Sequence, residues 1–216
     1  IGTTIILSDK EVIEIFNDKW KSYIFFIENN IGTPLTYRKR DCYSEILRFT
    51  QNDKELDCHP KKEDTSNTSN AILTSDVILN EVKDLVFPLI IKPVDGAGSQ
   101  NVFKINNERE LNFFMDYIEN PVIQEYIEGI EYTIDVLCDL DGNVISIVPR
   151  ERIEVRAGEV SKGRTVKNKG IIEKTLELCN KLKINENTKP IGPLTIQCIV
   201  DLDNNIKFIE VNPRFG

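Results

Sequence analysis

Near its end, the chain carries three oxygen-bearing side chains at a spacing that could bind a metal ion. Glu210 and Asn212 stand two residues apart in an apolar run, and strand residues alternate faces, so both point to the same side. The turn residues Asn204 and Asn205 predict a hairpin that pairs Gln197 with Asn212. One carboxylate with two amide oxygens suits Mg²⁺, which takes hard oxygen ligands and completes its shell with water and nucleotide phosphates. The alternative is a hairpin whose polar face is simply exposed to water.

A second group of candidate residues lies near the middle of the chain, where an apolar run meets a glycine-rich loop. Lys92 follows the run 87–91, and a lysine at the end of a buried strand is costly unless an anion meets it. Residues 95–100 come next and include two glycines, which let backbone N–H groups approach phosphate oxygens closely. The loop therefore indicates phosphate binding or, alternatively, an ordinary hairpin turn. The sequence lacks the Walker and kinase patterns of the common nucleotide folds.

The composition disfavours several classes of protein. The chain of 216 residues is 40% hydrophobic and 29% charged, and its net charge of −8 disfavours a nucleic-acid surface. Residues 1–30 lack the signal-peptide pattern, and no apolar run reaches the roughly 18 residues that span a membrane. We therefore expect a cytosolic protein without a membrane partner. The five cysteines are dispersed and His59 is the single histidine, which indicates neither a disulfide framework nor a zinc site.

Local patterns predict the elements that must position these side chains. Ser8 and Glu11 have the spacing of a capping box, and helical periodicity follows with a break near Asn17-Asp18. The order of the remaining elements favours a mixed α+β fold with largely antiparallel sheets. Those elements are helices at about 107–118 and 172–182 and strands at 87–93, 101–105, 122–127, 131–140 and 143–155.

Between Thr36 and about Phe87 the periodic pattern dissolves. The stretch 51–70 is polar, contains Pro60 and shows no sustained period. We expect a long, mobile loop, in which about 43–86 is an insertion without a catalytic role. Surface loops tolerate such insertions because each doubling of loop length costs only about 0.6 kcal/mol.

Several short motifs follow one another in a fixed order along the chain. They are Asp18-Lys19, the strand 88–93 that contains Lys92, the loop 96–99, the stretch 124–129, Glu131, Gln197 and the stretch 210–214. This ordered set resembles the ATP-grasp superfamily and, within it, the carbamoyl-phosphate-synthase-like branch. The similarity runs from about Asp18 to Gly216, apart from the loop before Phe87.

The resemblance implies two α+β lobes with largely antiparallel sheets that clamp ATP, with Mg²⁺, as two ions, bridging the phosphates. It also implies roles for individual residues. Phosphate contacts are expected from Lys19, Lys92, Gly96, Ala97, Gly98 and Ser99, adenosine contacts from Glu125, Tyr126, Ile127 and Glu131, and metal binding from Gln197, Glu210 and Asn212. Arg214 would stabilise charge on the transferred phosphoryl group or on an acyl phosphate.

The implied activity is that of an ATP-dependent ligase for small molecules. A carboxylate is phosphorylated to an acyl phosphate, and an amine then attacks it. The transfer depends on positioning and charge neutralisation and needs no protein nucleophile, which agrees with a sequence that offers no plausible Ser-His or Cys-His pair. Two alternatives stay open: a subunit of carbamoyl-phosphate-synthase type, and a truncated ATP-binding module without turnover. A homo-oligomer is also compatible with the sequence.

The stretch 149–164 is dense in charge and contains glycines suited to a flap. We expect Arg150, Arg152 or Lys162 to bind the acidic substrate or the phosphates when this flap closes. The alternative is a solvated charged loop.

The resemblance also implies a division of the chain. We expect residues 1–9 to be the remnant of a preceding Rossmann-like domain that is otherwise missing. Residues 10–126 would form the N-terminal ATP-grasp part together with the insertion, and residues 127–216 a truncated C-terminal lobe.

Overall fold

The computed structural model describes residues 6–39, 86–95, 98, 100–156, 159–185 and 188–215. Its helices are α1 (Lys10–Phe16), α2 (Lys19–Glu28), α3 (Glu108–Tyr117) and α4 (Lys169–Lys181). Its strands are β1 (Thr36–Arg38), β2 (Leu89–Pro93), β3 (Phe103–Ile105), β4 (Pro121–Glu125), β5 (Gly129–Cys138), β6 (Val144–Arg156), β7 (Glu159–Thr165), β8 (Gly192–Asp201) and β9 (Ile206–Asn212). These strands form two antiparallel sheets, which confirms the predicted α+β fold. None of the helices in this part of the chain is long and apolar enough to cross a membrane.

The first sheet has the strand order β1-β4-β2-β3 and packs one face on α3. Leu89 and Ile91 alternate with Ile90 and Lys92 along β2, and the first two are buried in a core that includes Met115 of α3. Because strand residues alternate faces, Ile90 and Lys92 point away from that core. The apolar strand therefore carries its lysine on the opposite face of the sheet.

The second sheet has the strand order β7-β6-β5-β8-β9 and is covered on one face by α1, α2 and α4. Phe26, Ile134, Leu178, Ile196 and Phe208 are buried together in its core. Although α1 and α2 come first in the chain, their apolar side chains belong to this second core. The other face of the sheet bears polar and charged side chains, such as Gln197 and Glu210, together with Ile199 and Ile209.

The predicted break between the first two helices is confirmed, and it determines the position of Lys19 at the start of α2. The Asp18 carboxylate accepts hydrogen bonds from the backbone N–H groups of Trp20 at 2.8 Å and Lys21 at 3.0 Å, which caps α2. The backbone N–H of Lys19 donates to the carbonyl of Val94 at 2.9 Å. The start of α2 is thereby tied to the end of β2, so Lys19 and Lys92 are brought to one region.

The predicted capping box at Ser8 and Glu11 is wrong. Asp9 is the residue that precedes α1, and its side chain makes no capping hydrogen bond. The Ser8 hydroxyl instead exchanges hydrogen bonds with the backbone of Ile191, and Glu11 accepts one from the Thr188 hydroxyl at 2.7 Å. Both side chains therefore bond to residues distant in the chain and not to the first turn of the helix. The spacing of Ser8 and Glu11 alone cannot reveal such distant partners.

The described residues of the charged stretch 149–164 belong to the paired strands β6 and β7, so the alternative of a solvated loop is wrong for them. Its charges pair across the strands, as in the ion pair of Arg164 with Glu151 at 2.6 Å. The strand predicted at 143–155 is confirmed as β6. The return strand β7 was not predicted, because its mostly polar and charged residues show no alternation with apolar ones. Residues 157 and 158, between the strands, lie outside the described residues.

Other sequence predictions fall partly or wholly outside the described residues. The expected insertion at 43–86 is described only at Val86, and the expected remnant at 1–9 only from residue 6. His59 and the loop residues Gly96, Ala97 and Ser99 also lie outside. The predicted insertion and domain division stay predictions.

Gly129 begins β5 at a point where the chain leaves no room for a side chain. A Cβ there would lie 2.2 Å from the Val200 carbonyl oxygen, whereas a Cβ at Gly170 in α4 would meet its nearest neighbours at 3.5 Å. We expect Gly129→Ala to lower the free energy of unfolding by about 1 to 3 kcal/mol through overpacking. Gly170→Ala should raise it by up to about 1 kcal/mol because alanine favours helix. Urea denaturation of both variants checks this, and a Gly129→Ala protein as stable as the wild type would contradict the β5–β8 geometry.

Candidate functional site

A cleft of about 260 Å³ lies between the two sheets, on the faces that point away from their cores. It is bordered on one side by β2 and β4, on the other by β5, β6, β8 and β9, and at one end by the connection from β4 to β5. Ten of the residues predicted from the sequence to form the site line it. They are Lys19, Lys92, Gly98, Glu125, Tyr126, Ile127, Glu131, Arg152, Gln197 and Glu210.

The connection from β4 to β5 forms the apolar end of the cleft. Glu125 is held there by two hydrogen bonds with Leu35, one through its backbone N–H at 2.8 Å and one through its carboxylate at 3.2 Å. The ammonium group of Lys104 lies 3.7 Å from the centre of the Tyr126 ring, a cation–π contact that orients the ring. This end of the cleft is therefore held in place by neighbouring residues.

Apolar side chains that the sequence reasoning missed complete this end. Ile90 and Val102 line it from the first sheet, and Ile199 and Ile209 line it from the second. Each belongs to or adjoins an apolar strand segment, so nothing in the sequence distinguished it from a core residue. Aliphatic side chains from both sheets thus provide apolar walls of the kind that accept a planar ring.

Two lysines supply positive charge in the middle of the cleft. Burial, together with the nearby Lys19 ammonium group, lowers the pKa of Lys92 to about 8, and Glu210 opposes this shift. Burial also lowers the pKa of Lys19, against the attraction of Glu210, Asp95 and Asp18. Two ammonium groups that disfavour each other's charge form a strong local site for an anion, although the net charge of the chain is negative.

Gln197 and Glu210 lie directly opposite each other in β8 and β9, and Asn212 lies opposite Thr195. The predicted pairing of Gln197 with Asn212 is therefore wrong. The loop 202–204 replaces the predicted two-residue turn, with Asn204 at a φ of 63° and the Asp201 N–H donating to the Asn205 carbonyl at 3.0 Å. Turn and bulge together shift the register by two residues, which keeps the same side chains on one face.

A β-bulge at Ile209 decides which residues of β9 face the cleft. Cys198 pairs with Phe208 and Gln197 with Glu210, so Ile209 is the extra residue. Phe208 and Val211 can thus both be buried in the core although they are three residues apart, while Ile209 and Glu210 both line the cleft. The bulge places an apolar and an acidic side chain next to each other, which regular alternation cannot do.

The donor set at this edge fits Mg²⁺ better than zinc. Within the described residues no group of three or more His, Cys, Asp and Glu side chains could hold a metal. Glu210, Gln197 and Asn212 offer one carboxylate and two amides on the same strand faces. Such a sparse oxygen set suits an ion that keeps several waters and takes its remaining ligands from phosphates.

The predicted arginines lie in different surroundings. Arg152 lines the cleft, its side chain is 6% exposed, and its Nε lies 3.4 Å from Glu131 Oε2. Arg150 forms a two-pronged ion pair with Asp135, with one contact at 2.9 Å. The exposed Arg214 follows β9, and its backbone carbonyl accepts a hydrogen bond from the Thr195 hydroxyl at 3.0 Å. Lys162 is exposed in β7 opposite Glu154.

Sequence reasoning assigned no role to Gln124, although it lines the cleft. Its side-chain oxygen accepts a hydrogen bond from Lys92 Nζ at 2.9 Å, and its side-chain nitrogen donates to the Thr36 hydroxyl at 2.9 Å. An amide in an otherwise apolar strand was the available signal. Its partner Thr36 is distant in the chain, so the contact could not be read from spacing.

Comparison with known proteins gives matches to one family. A family model described as an ATP-grasp domain matches residues 16–216. The carbamoyl phosphate synthase large chain of Clostridium botulinum (strain Loch Maree / Type A3) is 32% identical over 146 residues, 63% of this chain and 13% of that protein. The D-alanine-D-alanine ligase of Fusobacterium nucleatum subsp. nucleatum is 39% identical over 64 residues, 30% of this chain and 22% of that ligase.

Solved structures share the fold at low sequence identity. The biotin carboxylase domain of Hydrogenobacter thermophilus 2-oxoglutarate carboxylase, in complex with MgADP, ADP and bicarbonate, matches with a TM-score of 0.65 at 19% identity, over 97% of this chain and 42% of that chain. The L-amino acid ligase of Bacillus licheniformis matches with a TM-score of 0.59 at 20% identity, over 95% of this chain and 42% of that chain. The chain thus spans less than half of these structures and 13% of the Clostridium relative.

Proposed function

Because this chain belongs to the ATP-grasp family and, within it, to the carbamoyl-phosphate-synthase-like branch, we propose that it binds Mg·ATP in the cleft and activates a carboxylate for attack by an amine. One observation carries the proposal. Two partly buried lysines and the Glu210 carboxylate line the same cleft, together with apolar side chains at its β4–β5 end. These apolar, cationic and oxygen-donor groups match the base, the phosphates and the metal of a bound nucleotide.

In this proposal the adenine lies between the aliphatic walls and bonds to the backbone at 125–127. Glu131 accepts hydrogen bonds from the ribose hydroxyls, since its side chain is half exposed at the cleft. Lys19 and Lys92 contact the phosphates, and Gly98, with a φ of 65°, belongs to the loop that closes over them. Gly96, Ala97 and Ser99 complete that loop in the proposal.

Gln197, Glu210 and Asn212 would hold the magnesium, as two ions. When bound, Mg²⁺ supplies charge neutralisation for the phosphates and fixes their orientation. The chain's own contribution is to hold the oxygen donors on one face of the β8–β9 ribbon and to keep two ammonium groups opposite them. We propose that Arg152, which lines the cleft, and Arg214 stabilise the charge that develops on the reacting carboxylate. Arg150, two residues from Arg152 in β6, is a further candidate for this role.

The reaction we propose has two steps. A carboxylate oxygen bonds to the γ-phosphorus of ATP, the bond from that phosphorus to the bridging oxygen breaks, and ADP leaves. The amine nitrogen then bonds to the acyl carbon, the carbon–oxygen bond to phosphate breaks, and the amine loses a proton to give an amide and phosphate. Positioning and charge stabilisation supply most of the catalysis in such transfers.

The 32% identity to a carbamoyl phosphate synthase large chain favours a second candidate, a synthase-type subunit whose carboxylate is bicarbonate or carbamate. A third possibility is a module that binds ATP without turnover. The small-molecule substrates, the cytosolic location and a homo-oligomer stay predictions.

A hydroxylamine trap separates these candidates. Hydroxylamine attacks any acyl phosphate, so one nucleophile serves for a panel of carboxylates and amino acids. We expect hydroxamate and ADP to form together, with Mg·ATP and with one class of carboxylate. ADP release with bicarbonate alone would support the synthase-type subunit. Nucleotide binding without ADP release across the panel would contradict the ligase and leave the binding module.

A further inference from the structure

We infer that Gln124 is a positioning residue that holds the Lys92 ammonium group at the phosphate region without neutralising its charge. The inference rests on the proposed function, because it presumes that a phosphate meets Lys92. It adds a residue to the site whose action is exerted through another side chain.

The contacts form a chain of three hydrogen bonds. Lys92 Nζ donates to Gln124 Oε1 at 2.9 Å, Gln124 Nε2 donates to Thr36 Oγ1 at 2.9 Å, and Thr36 Oγ1 donates to the Pro34 carbonyl at 3.0 Å. Gln124 is 7% exposed and Thr36 is 2% exposed. The chain therefore runs from the cleft into the interior, where a broken link leaves a buried polar group unsatisfied.

The donors and acceptors fix the orientation of the amide. A backbone carbonyl only accepts, so the single hydroxyl proton of Thr36 goes to Pro34, and Thr36 can then only accept from Gln124. The NH₂ group of Gln124 must face Thr36, and its oxygen must face Lys92, which only donates. Both ends of this series of hydrogen bonds require the same orientation, so a flipped amide would lose its hydrogen bonds to Lys92 and Thr36.

The sheet keeps this amide in place. Gln124 lies in β4, between Thr36 of β1 and Ile90 of β2 in the register. Lys92 stands two residues beyond Ile90, on the same face. An interior strand with partners on both sides moves little, so the acceptor offered to Lys92 is rigid.

The electrostatic surroundings show why an amide differs from a carboxylate here. Lys19 from α2 and Glu210 from β9 are the charged groups that act on Lys92. Glu125, Glu131 and Arg152 are the other charged residues that line the cleft. A glutamate at 124 would add a negative charge in direct contact with the ammonium group and repel a polyphosphate. The neutral amide accepts one N–H of the Lys92 ammonium group and leaves the other two N–H groups of that lysine for an anion.

The test compares the pH dependence of nucleotide affinity in wild type, Gln124→Glu and Gln124→Met, by calorimetry with Mg²⁺ and a non-hydrolysable ATP analogue. Wild-type affinity should fall as pH rises through the Lys92 pKa of about 8, because the charged form binds the anion. The carboxylate of Gln124→Glu stabilises the ammonium, so its midpoint should move to higher pH, with affinity at neutral pH at least tenfold weaker. Gln124→Met removes the acceptor, so its midpoint should move to lower pH.

Two further variants test whether the shifts in midpoint come from the contact between Gln124 and Lys92. Asn112→Asp makes the same charge change on the exposed face of α3 and should leave the midpoint where it is. Thr36→Val frees the amide without changing the residue next to Lys92, and should shift the midpoint to lower pH, by less than Gln124→Met. If the Gln124→Met protein does not fold, the Thr36→Val protein still tests the predicted shift to lower pH.

The outcomes separate the inference from the function on which it rests. Opposite shifts for glutamate and methionine support the positioning role. Variants that bind more weakly at every pH, with the wild-type midpoint, would overturn it and leave Gln124 a structural residue. A wild-type protein that binds no nucleotide at any pH would overturn the proposed function as well.

Discussion

Replacing Lys92 with alanine should weaken the binding of Mg·ATP by about 100-fold or more, which corresponds to roughly 3 kcal/mol. The reason is that Lys92 is partly buried at the cleft, and its pKa of about 8 leaves it mostly charged at neutral pH, so it can bind a phosphate there. Truncating one partner of a buried, hydrogen-bonded charge pair typically costs about 2 to 5 kcal/mol. Calorimetric titration with Mg·ATP measures the loss directly.

A matched variant separates this local effect from a change in overall charge. Lys174 lies on the exposed side of α4, 2.8 Å from Glu177, and Lys174→Ala removes the same charge far from the cleft. It should bind Mg·ATP within about twofold of the wild type, as expected for an exposed pair. If the Lys92 and Lys174 variants bound equally well, the phosphate assignment would be wrong.

Replacing Glu210 with glutamine should lower ATP-dependent product formation by about 100- to 1000-fold, a loss typical for removal of one charge-stabilising group from an active site. The change keeps the shape of the side chain and its place opposite Gln197 but removes the single carboxylate of the proposed magnesium site. The dependence of activity on Mg²⁺ concentration should move to higher concentration at the same time. The hydroxamate assay at several Mg²⁺ concentrations measures both effects.

The control is Glu173→Gln, on the exposed face of α4, where the carboxylate lies 3.5 Å from Lys169. It makes the same substitution outside the cleft and should leave activity and magnesium dependence unchanged. A Glu210→Gln protein with normal activity and a normal magnesium response would exclude this residue as a ligand.

Some of the site could be predicted from sequence because its signals are local. The polar pair Glu210 and Asn212 in an apolar strand, and Lys92 at the end of another, are readable from the side-chain period alone. The break at Asn17-Asp18 was readable as well, since a capping aspartate competes with helix continuation. Both lysines, Gln197 and Glu210 line the cleft, whereas Asn212 is not among the residues that line it.

Other features depend on contacts between distant segments. The bulge at Ile209 is not visible in the sequence, yet it shifts the partner of Gln197 and turns both Ile209 and Glu210 toward the cleft. The capping box at Ser8 failed because residues 188–191 offered better partners. Gln124 acquires its significance from its contacts with Lys92 and Thr36, which lie 32 and 88 positions away in the chain.

The central claim is that a magnesium nucleotide binds between Lys92 and the β8–β9 ribbon. The most direct test is a crystal structure of the protein grown with Mg²⁺ and a non-hydrolysable ATP analogue. We predict density for the base at the 125–127 end, for phosphates in contact with Lys19 and Lys92, and for metal beside Glu210. An empty cleft, or a nucleotide bound elsewhere on the protein, would contradict the account.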